Sequence, residues 1–166
     1  MERLWAPWRM EYIRNSEQAG CVFCIGDDPA EDRDKLVLCR TAHSFVIMNR
    51  YPYSNAHLMI APYRHTAELN DLGEGEMLDL FRTLTLCKNV LQETARPGGF
   101  NIGINLGKDA GAGVDDHLHI HIVPRWHGDI NFMTVVADLR VIPEDLRSTY
   151  DNLLPAFSAR CSGGPA

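Results

Sequence analysis

The segment Asp116-His117-Leu118-His119-Ile120-His121-Ile122-Val123-Pro124 alternates imidazole and aliphatic side chains without a break. Successive side chains of an extended strand point to opposite faces, so residues i, i+2 and i+4 share one. The pattern predicts a strand with Leu118, Ile120 and Ile122 facing a core and His117, His119 and His121 in a row on the other side. A lone histidine is usually a solvated or core side chain. Three in phase, opposed by three aliphatics, predict a site. At a rise of about 3.3 Å per residue the ring-bearing carbons stand about 7 Å apart, close enough for several imidazoles to address one ligand.

Residues 36–40 and 44–49 are rich in strand formers and separated by the turn-like Thr41-Ala42-His43, and a third run, 57–61, is closed by Pro62. Residues 74–94 place Met77, Leu80, Phe81, Leu84, Cys87, Lys88 and Leu91 at three- and four-residue steps, widened by Val90, which predicts a helix ended by Pro97-Gly98-Gly99. Residues 100–106 alternate Phe100, Ile102, Ile104 and Leu106 with Asn and Gly, as a half-buried strand does. A last helix is expected over 143–159, started by Pro143 and broken or shortened by Pro155. The order predicts an α+β fold: an antiparallel five-stranded sheet with a long helix and flanking helices. No linker divides residues 1–166, so one domain is expected. It has an irregular arm over 1–20, whose Trp5 and Trp8 dock on the body or on a partner subunit, and a frayed tail over 162–166.

Sixteen basic against 22 acidic residues give a net charge of −6 with no basic stripe, which argues against a nucleic-acid partner. No apolar run is long enough to span a bilayer, and the N-terminus lacks a signal peptide's apolar core, so no membrane partner and a reducing cytoplasmic location are expected. Five cysteines form no dense pattern of staples. Cys21-Val22-Phe23-Cys24 reads as a metal or redox pair rather than a structural disulfide. Two thiolates at that spacing chelate zinc, and His65 and His117 can complete a tetrahedron. Four protein ligands make such a zinc structural; the bland alternative is buried cysteines and a surface His65. Cys87 falls on the helix stripe and is expected in the core, while Cys39, Cys87 and Cys161 take no part in the metal site. A redox role for Cys21 and Cys24 would leave the aligned histidines without a task.

The glycine-rich stretch 107–113 can turn backbone N–H groups toward an anion. Beside a histidine row it favours a phosphate, with an imidazole attacking phosphorus while donors hold the non-bridging oxygens.

His117-Leu118-His119-Ile120-His121-Ile122-Val123 resembles the His-x-His-x-His signature of the histidine triad family. Ala56-His57-Leu58-Met59-Ile60-Ala61-Pro62-Tyr63-Arg64-His65 and Asn49-Arg50-Tyr51-Pro52 are similar to further stretches of that family. Leu4-Trp5-Ala6-Pro7-Trp8-Arg9 and Arg125-Trp126 look most like its bacterial diadenosine tetraphosphate phosphorylase-like branch. The resemblance implies that His119 is a nucleophile forming a nucleotidyl-imidazole intermediate. It implies that His121 hydrogen-bonds near the phosphate and leaving group, and that His57 orients the nucleophile's other nitrogen. Cys21, Cys24, His65 and His117 would hold zinc. Asn105 and the loop backbone at Gly111, Ala112 and Gly113 would contact phosphate, and Asn49 the ribose. Trp126 would stack on a base or pack at a dimer seam. The loop reads Ala112-Gly113 where many members carry Gln or Ser. The implied partners are a nucleotide substrate and a second copy of the chain, joined through the long helix and a neighbouring strand. Magnesium would accompany a polyphosphate substrate. The implied activity is hydrolysis or phosphorolysis of dinucleoside polyphosphates; phosphoramidate hydrolysis and a nucleotide-binding adaptor with negligible turnover are the alternatives.

Overall fold

The structure, a computed structural model, describes residues 20–129, 142 and 144–161. The expected arm with Trp5 and Trp8, Pro143 itself and the tail 162–166 lie outside those residues; the last helix starts later than expected, at Leu146, where the Asp145 side chain caps it by accepting from the Arg147 and Ser148 amides. Five strands, β1 (Val37–Arg40), β2 (Ser44–Met48), β3 (Leu58–Pro62), β4 (Gly99–Ile104) and β5 (Ile120–Arg125), form one sheet in the order β1-β2-β3-β5-β4. Every neighbouring pair is antiparallel. The helices are α1 (Asp32–Lys35), α2 (Glu74–Thr94) and α3 (Leu146–Ser158).

β2 and β3 are near-continuous apolar runs and are buried on both faces. On one face Val46, Met48, Leu58, Ile60, Ile120 and Ile122 pack with Leu80, Cys87, Val90 and Leu91 of α2 and with Tyr150, Leu153 and Phe157 of α3. On the other, Phe45, Ile47, Met59 and Ala61 are covered by Phe23 and Ile25 from the N-terminal segment. The alternation holds: Leu118, Ile120 and Ile122 enter the helix-side core. The opposite face is buried too, with His117, His119 and His121 only 1%, 5% and 9% exposed. The paired strand begins at Ile120 rather than at 117. The Leu118 amide instead donates to the Thr66 carbonyl at 2.6 Å.

The long helix has the expected bounds, but the face it buries is rotated from the one the sequence suggests. Leu80, Thr83, Cys87, Val90 and Leu91 are buried, whereas Met77, Leu78 and Phe81 face outward. The rotation follows from a polar anchor: Asp79 Oδ2 accepts from the Thr41 and Ser44 hydroxyls at 2.7 and 2.6 Å, and the Thr83 hydroxyl lies 3.1 Å from Ser44 Oγ. These bonds turn Thr83 to the sheet and Phe81 away from it.

Pro155 does not end α3, which runs to Ser158. Pro155 lies on the exposed side, so the carbonyl it leaves without an amide partner faces water, while buried Leu153 and Phe157 hold the helix to the core. Cys39 and Cys161, which the spacing left unassigned, are joined by a disulfide with Cα atoms 5.8 Å apart, fastening β1 to the end of α3.

Candidate active site and metal centre

The histidine face is built from β3, β5 and two loops. The β2–β3 connection is closed by the Asn49 amide donating to the His57 carbonyl at 3.0 Å, and Asn49 Oδ1 accepts from the Tyr51 amide at 2.8 Å. This compact turn presents the Tyr53 amide to His57 Nδ1 at 3.1 Å. A backbone amide can only donate, so His57 Nδ1 is the acceptor and the neutral ring carries its hydrogen on Nε2. That N–H points at His121 Nδ1, 3.0 Å away. His121 is therefore protonated on Nε2, a buried nitrogen without a hydrogen-bond partner. A buried donor left unmatched costs about 1–3 kcal/mol, which an incoming oxygen would recover.

His119 is set the opposite way. Its Nδ1 lies 2.8 Å from the His117 carbonyl, which can only accept, so Nδ1 carries the hydrogen and Nε2 a free lone pair. One histidine thus offers a lone pair and its neighbour on the strand an N–H. Burial lowers the pKa of all four rings, His57 to about 3 and His121 to about 4, and neighbouring imidazoles add to the shift for His57, His117 and His121. All stay neutral near pH 7, the form a nucleophile or a metal ligand requires.

This corrects the expected pairing. His57 reaches His121 rather than the other nitrogen of His119, whose orientation comes from a main-chain carbonyl two residues back. Asn49 lies half-buried with its amide nitrogen 3.3 Å from His57 Nδ1. β4 contributes by what it lacks: Gly103 pairs with His121, and a side chain added there would meet open space. Asn105 follows β4 on the same face, one position past the last paired residues Ile104 and Ile120. Gly107 and Gly111 take positive φ values of 81° and 85°, which let the loop bearing Gly111, Ala112 and Gly113 curl around Lys108–Ala110 before it reaches His117. Trp126 is not brought to the histidines. It follows β5 and donates from Nε1 to the Ala95 carbonyl beyond α2, at 3.1 Å.

Four further side chains converge at the other end of the row. Cys21 Sγ is 3.3 Å from His117 Nδ1, Cys24 Sγ is 3.4 Å from His65 Nδ1, and the two imidazole Nδ1 atoms are 3.3 Å apart. All four ligand atoms lie within 4.8 Å of one another. Bonds of about 2.0–2.3 Å around a tetrahedral zinc require ligand separations of about 3.3–3.8 Å; the three separations of 3.3, 3.4 and 3.3 Å meet this, and the whole set lies within 4.8 Å. His117 Nε2 donates to the Pro62 carbonyl at 2.9 Å, leaving Nδ1 as the ligand atom, and Asp116 lies 3.7 Å from His65 Nε2. Among the described residues no carboxylate cluster suited to magnesium accompanies this centre.

Two residues at the site escaped the sequence reading. The Cys21–Cys24 turn, closed by the Cys24 amide on the Cys21 carbonyl at 3.0 Å, carries Phe23 at its apex. The Phe23 ring stacks on His119 with centroids 4.6 Å apart. Tyr53 covers His57 at 4.7 Å and His121 at 5.9 Å. An aromatic between two candidate ligands was the available signal for Phe23; Tyr53 had none.

An antiparallel sheet carrying three in-phase histidines, with a fourth behind them, places the chain in a defined class: it belongs to the HIT domain family, whose match spans residues 30–128. Among its relatives is the AP-4-A phosphorylase of Mycobacterium tuberculosis, 38% identical over 157 residues, covering 90% of this chain and 80% of that protein. The asymmetrical bis(5'-nucleosyl)-tetraphosphatase of Schizosaccharomyces pombe is 35% identical over 115 residues, covering 69% of this chain and 63% of that protein. A zinc-bound histidine triad family protein from Mycobacterium smegmatis matches in structure with a TM-score of 0.64 at 26% identity, covering 84% of this chain and 94% of that one.

Proposed function

We propose that this protein is an enzyme that transfers a nucleotidyl group from dinucleoside polyphosphates, such as diadenosine tetraphosphate, through a covalent intermediate on His119. The opposite tautomers of His119 and His121 carry the reading. His119 Nε2 attacks the α-phosphorus; a P–N bond forms as the P–O bond to the polyphosphate breaks, and the polyphosphate departs as an anion whose new terminal oxygen accepts a hydrogen bond from His121 Nε2–H, the hydrogen staying on the ring. The His117 carbonyl holds the Nδ1–H of the now cationic imidazole. An acceptor then attacks phosphorus, the P–N bond breaks, and His119 is restored. In this reading Asn105 and the backbone of Gly111, Ala112 and Gly113 hold non-bridging oxygens, and Asn49 contacts the ribose. The kinship with the mycobacterial AP-4-A phosphorylase favours inorganic phosphate as acceptor.

Incubation with diadenosine tetraphosphate, with and without inorganic phosphate, tests this. ADP and ATP formed only with phosphate are the expected products. AMP and ATP formed regardless of phosphate would make the enzyme a hydrolase. No product, with no nucleotide retained on His119 in a single turnover, would leave a binding adaptor and end the enzymatic reading.

Zinc held by Cys21, Cys24, His65 and His117 completes the proposal, supported by the ligand spacing and by the zinc-bound relative. With four protein ligands it supplies no reaction chemistry and instead fastens Phe23 over His119. The protein acts as a homodimer. Met77, Leu78 and Phe81 of α2 and Ile102 of the edge strand β4 expose apolar surface that a second copy would cover. Its compartment is the cytoplasm, where nucleotide substrates arise. Among the described residues no helix is long and apolar enough to cross a membrane.

A further inference from the structure

The candidate nucleophile keeps its tautomer through one hydrogen bond, from His119 Nδ1 to the His117 carbonyl at 2.8 Å. That bond selects the nitrogen that carries hydrogen, but it is a weak hold on the plane of the ring, because the torsion joining an imidazole to its side chain has a broad preference. A ring that swings off the carbonyl is free to exchange its hydrogen and take the Nε2–H form, which an unrestrained neutral imidazole favours. In that form Nε2 has no lone pair with which to attack. A second contact is needed to hold the ring in plane.

Phe23 supplies it. Its ring stacks on His119 with centroids 4.6 Å apart and planes 30° apart, whereas His121 meets His119 edge to face at 74°. Phe23 is itself firmly seated: it is buried among Ile25, Phe45, Ile47 and Met59, on a turn whose two sulfurs reach His117 and His65. The same ring lies 5.3 Å from the imidazole of His117, whose carbonyl holds the nucleophile. One side chain therefore touches both the nucleophilic ring and the residue that sets its hydrogen.

We infer that Phe23 is a positioning residue: its flat face holds the His119 imidazole in the plane that keeps hydrogen on Nδ1 and the lone pair on Nε2. This role rests on the proposed covalent step and names what keeps its nucleophile in the reactive form. A leucine at this position would still fill the apolar cluster but offers no flat face, so packing and positioning are separable. Displacing a reacting group by about 1 Å costs up to about a hundredfold in rate.

The test compares Phe23→Leu with the parent as full-length proteins. The readouts are nitrogen NMR of histidine-labelled protein near pH 7.5, with His119 assigned from the His119→Gly spectrum, and kinetics on diadenosine tetraphosphate. In the parent, His119 should show hydrogen on Nδ1 and a bare Nε2. In Phe23→Leu the two nitrogen signals should move toward each other as the Nε2–H form is populated, and kcat should fall roughly tenfold with KM nearly unchanged. Phe23→Tyr, which restores the flat face, should return both toward the parent. Lower thermal stability with parental ring signals and parental kcat would overturn the inference and leave Phe23 as a core side chain. A parent whose His119 already mixes the two forms would overturn it without any variant. A parent inert toward diadenosine tetraphosphate would instead overturn the proposed reaction, and with it any nucleophile for Phe23 to hold.

Discussion

His119 and His121 carry the same ring and receive opposite settings from the main chain. The His117 carbonyl claims one nitrogen of His119, while the Tyr53 amide acts on His121 through His57. The nucleophile assignment predicts that His119→Gly lowers turnover of diadenosine tetraphosphate by roughly a thousandfold or more while the circular dichroism spectrum stays that of the parent. Activity within tenfold of the parent would remove the role. The buried pair also makes stability depend on acidity. The unfolded chain binds protons at these rings near pH 6.5, whereas the native rings resist until about 4 for His121 and about 3 for His57. In that window the unfolded state holds more protons, so stability falls as pH drops, by about 1.4 kcal/mol per pH unit for each ring. Urea midpoints between pH 7.5 and 4.5 should therefore decline less in His57→Gln than in the parent. Parallel declines would place the acid sensitivity elsewhere.

At the scale of elements, the turn at Cys21–Cys24 packs the N-terminal segment against His117 and His119, just ahead of β5, and the disulfide fastens α3 to β1. Elemental analysis should find about one zinc per chain, lost in Cys24→Ser together with several degrees of thermal stability. A metal-free parent of equal stability would refute the centre. The Cys39–Cys161 bridge closes a separation of 122 residues. Removing it with Cys161→Ser should cost about 2–4 kcal/mol in denaturant unfolding under oxidising conditions and nothing measurable in reductant. The long helix was legible in its length because a 3.6-residue period is local. Which side it buries was not, since Asp79 is turned by Thr41 and Ser44, more than thirty residues away. Pro155 misled for the same reason: the expected break assumes an isolated helix, and the core packing of Leu153 and Phe157 overrides it.

At the scale of the molecule, the apolar residues turned outward from α2 and β4 are the surface that the proposed dimer would cover. Phe81, 64% exposed, is the most exposed of these residues. Phe81→Glu should convert a dimer into a monomer by light scattering while leaving the bound zinc in place; a parent already monomeric at micromolar concentration would refute the dimer. The acidic balance of the chain does not oppose a phosphate ligand, because the donors at the site are neutral imidazole and backbone N–H groups set by geometry.

What the sequence determined by itself were features written in local periodicity and ligand chemistry: the strand whose alternate residues form the triad, the sheet with its long helix, and the Cys and His set suited to zinc. These follow from backbone geometry and donor type, which neighbouring residues specify. Only the tertiary structure decided that His57 serves His121 and not His119, that Phe23 stacks on His119 and Tyr53 packs on His57, and that Cys39 meets Cys161. Each of those contacts joins segments far apart in the chain. Register across strands and the seating of loops choose them, and no local pattern encodes that choice.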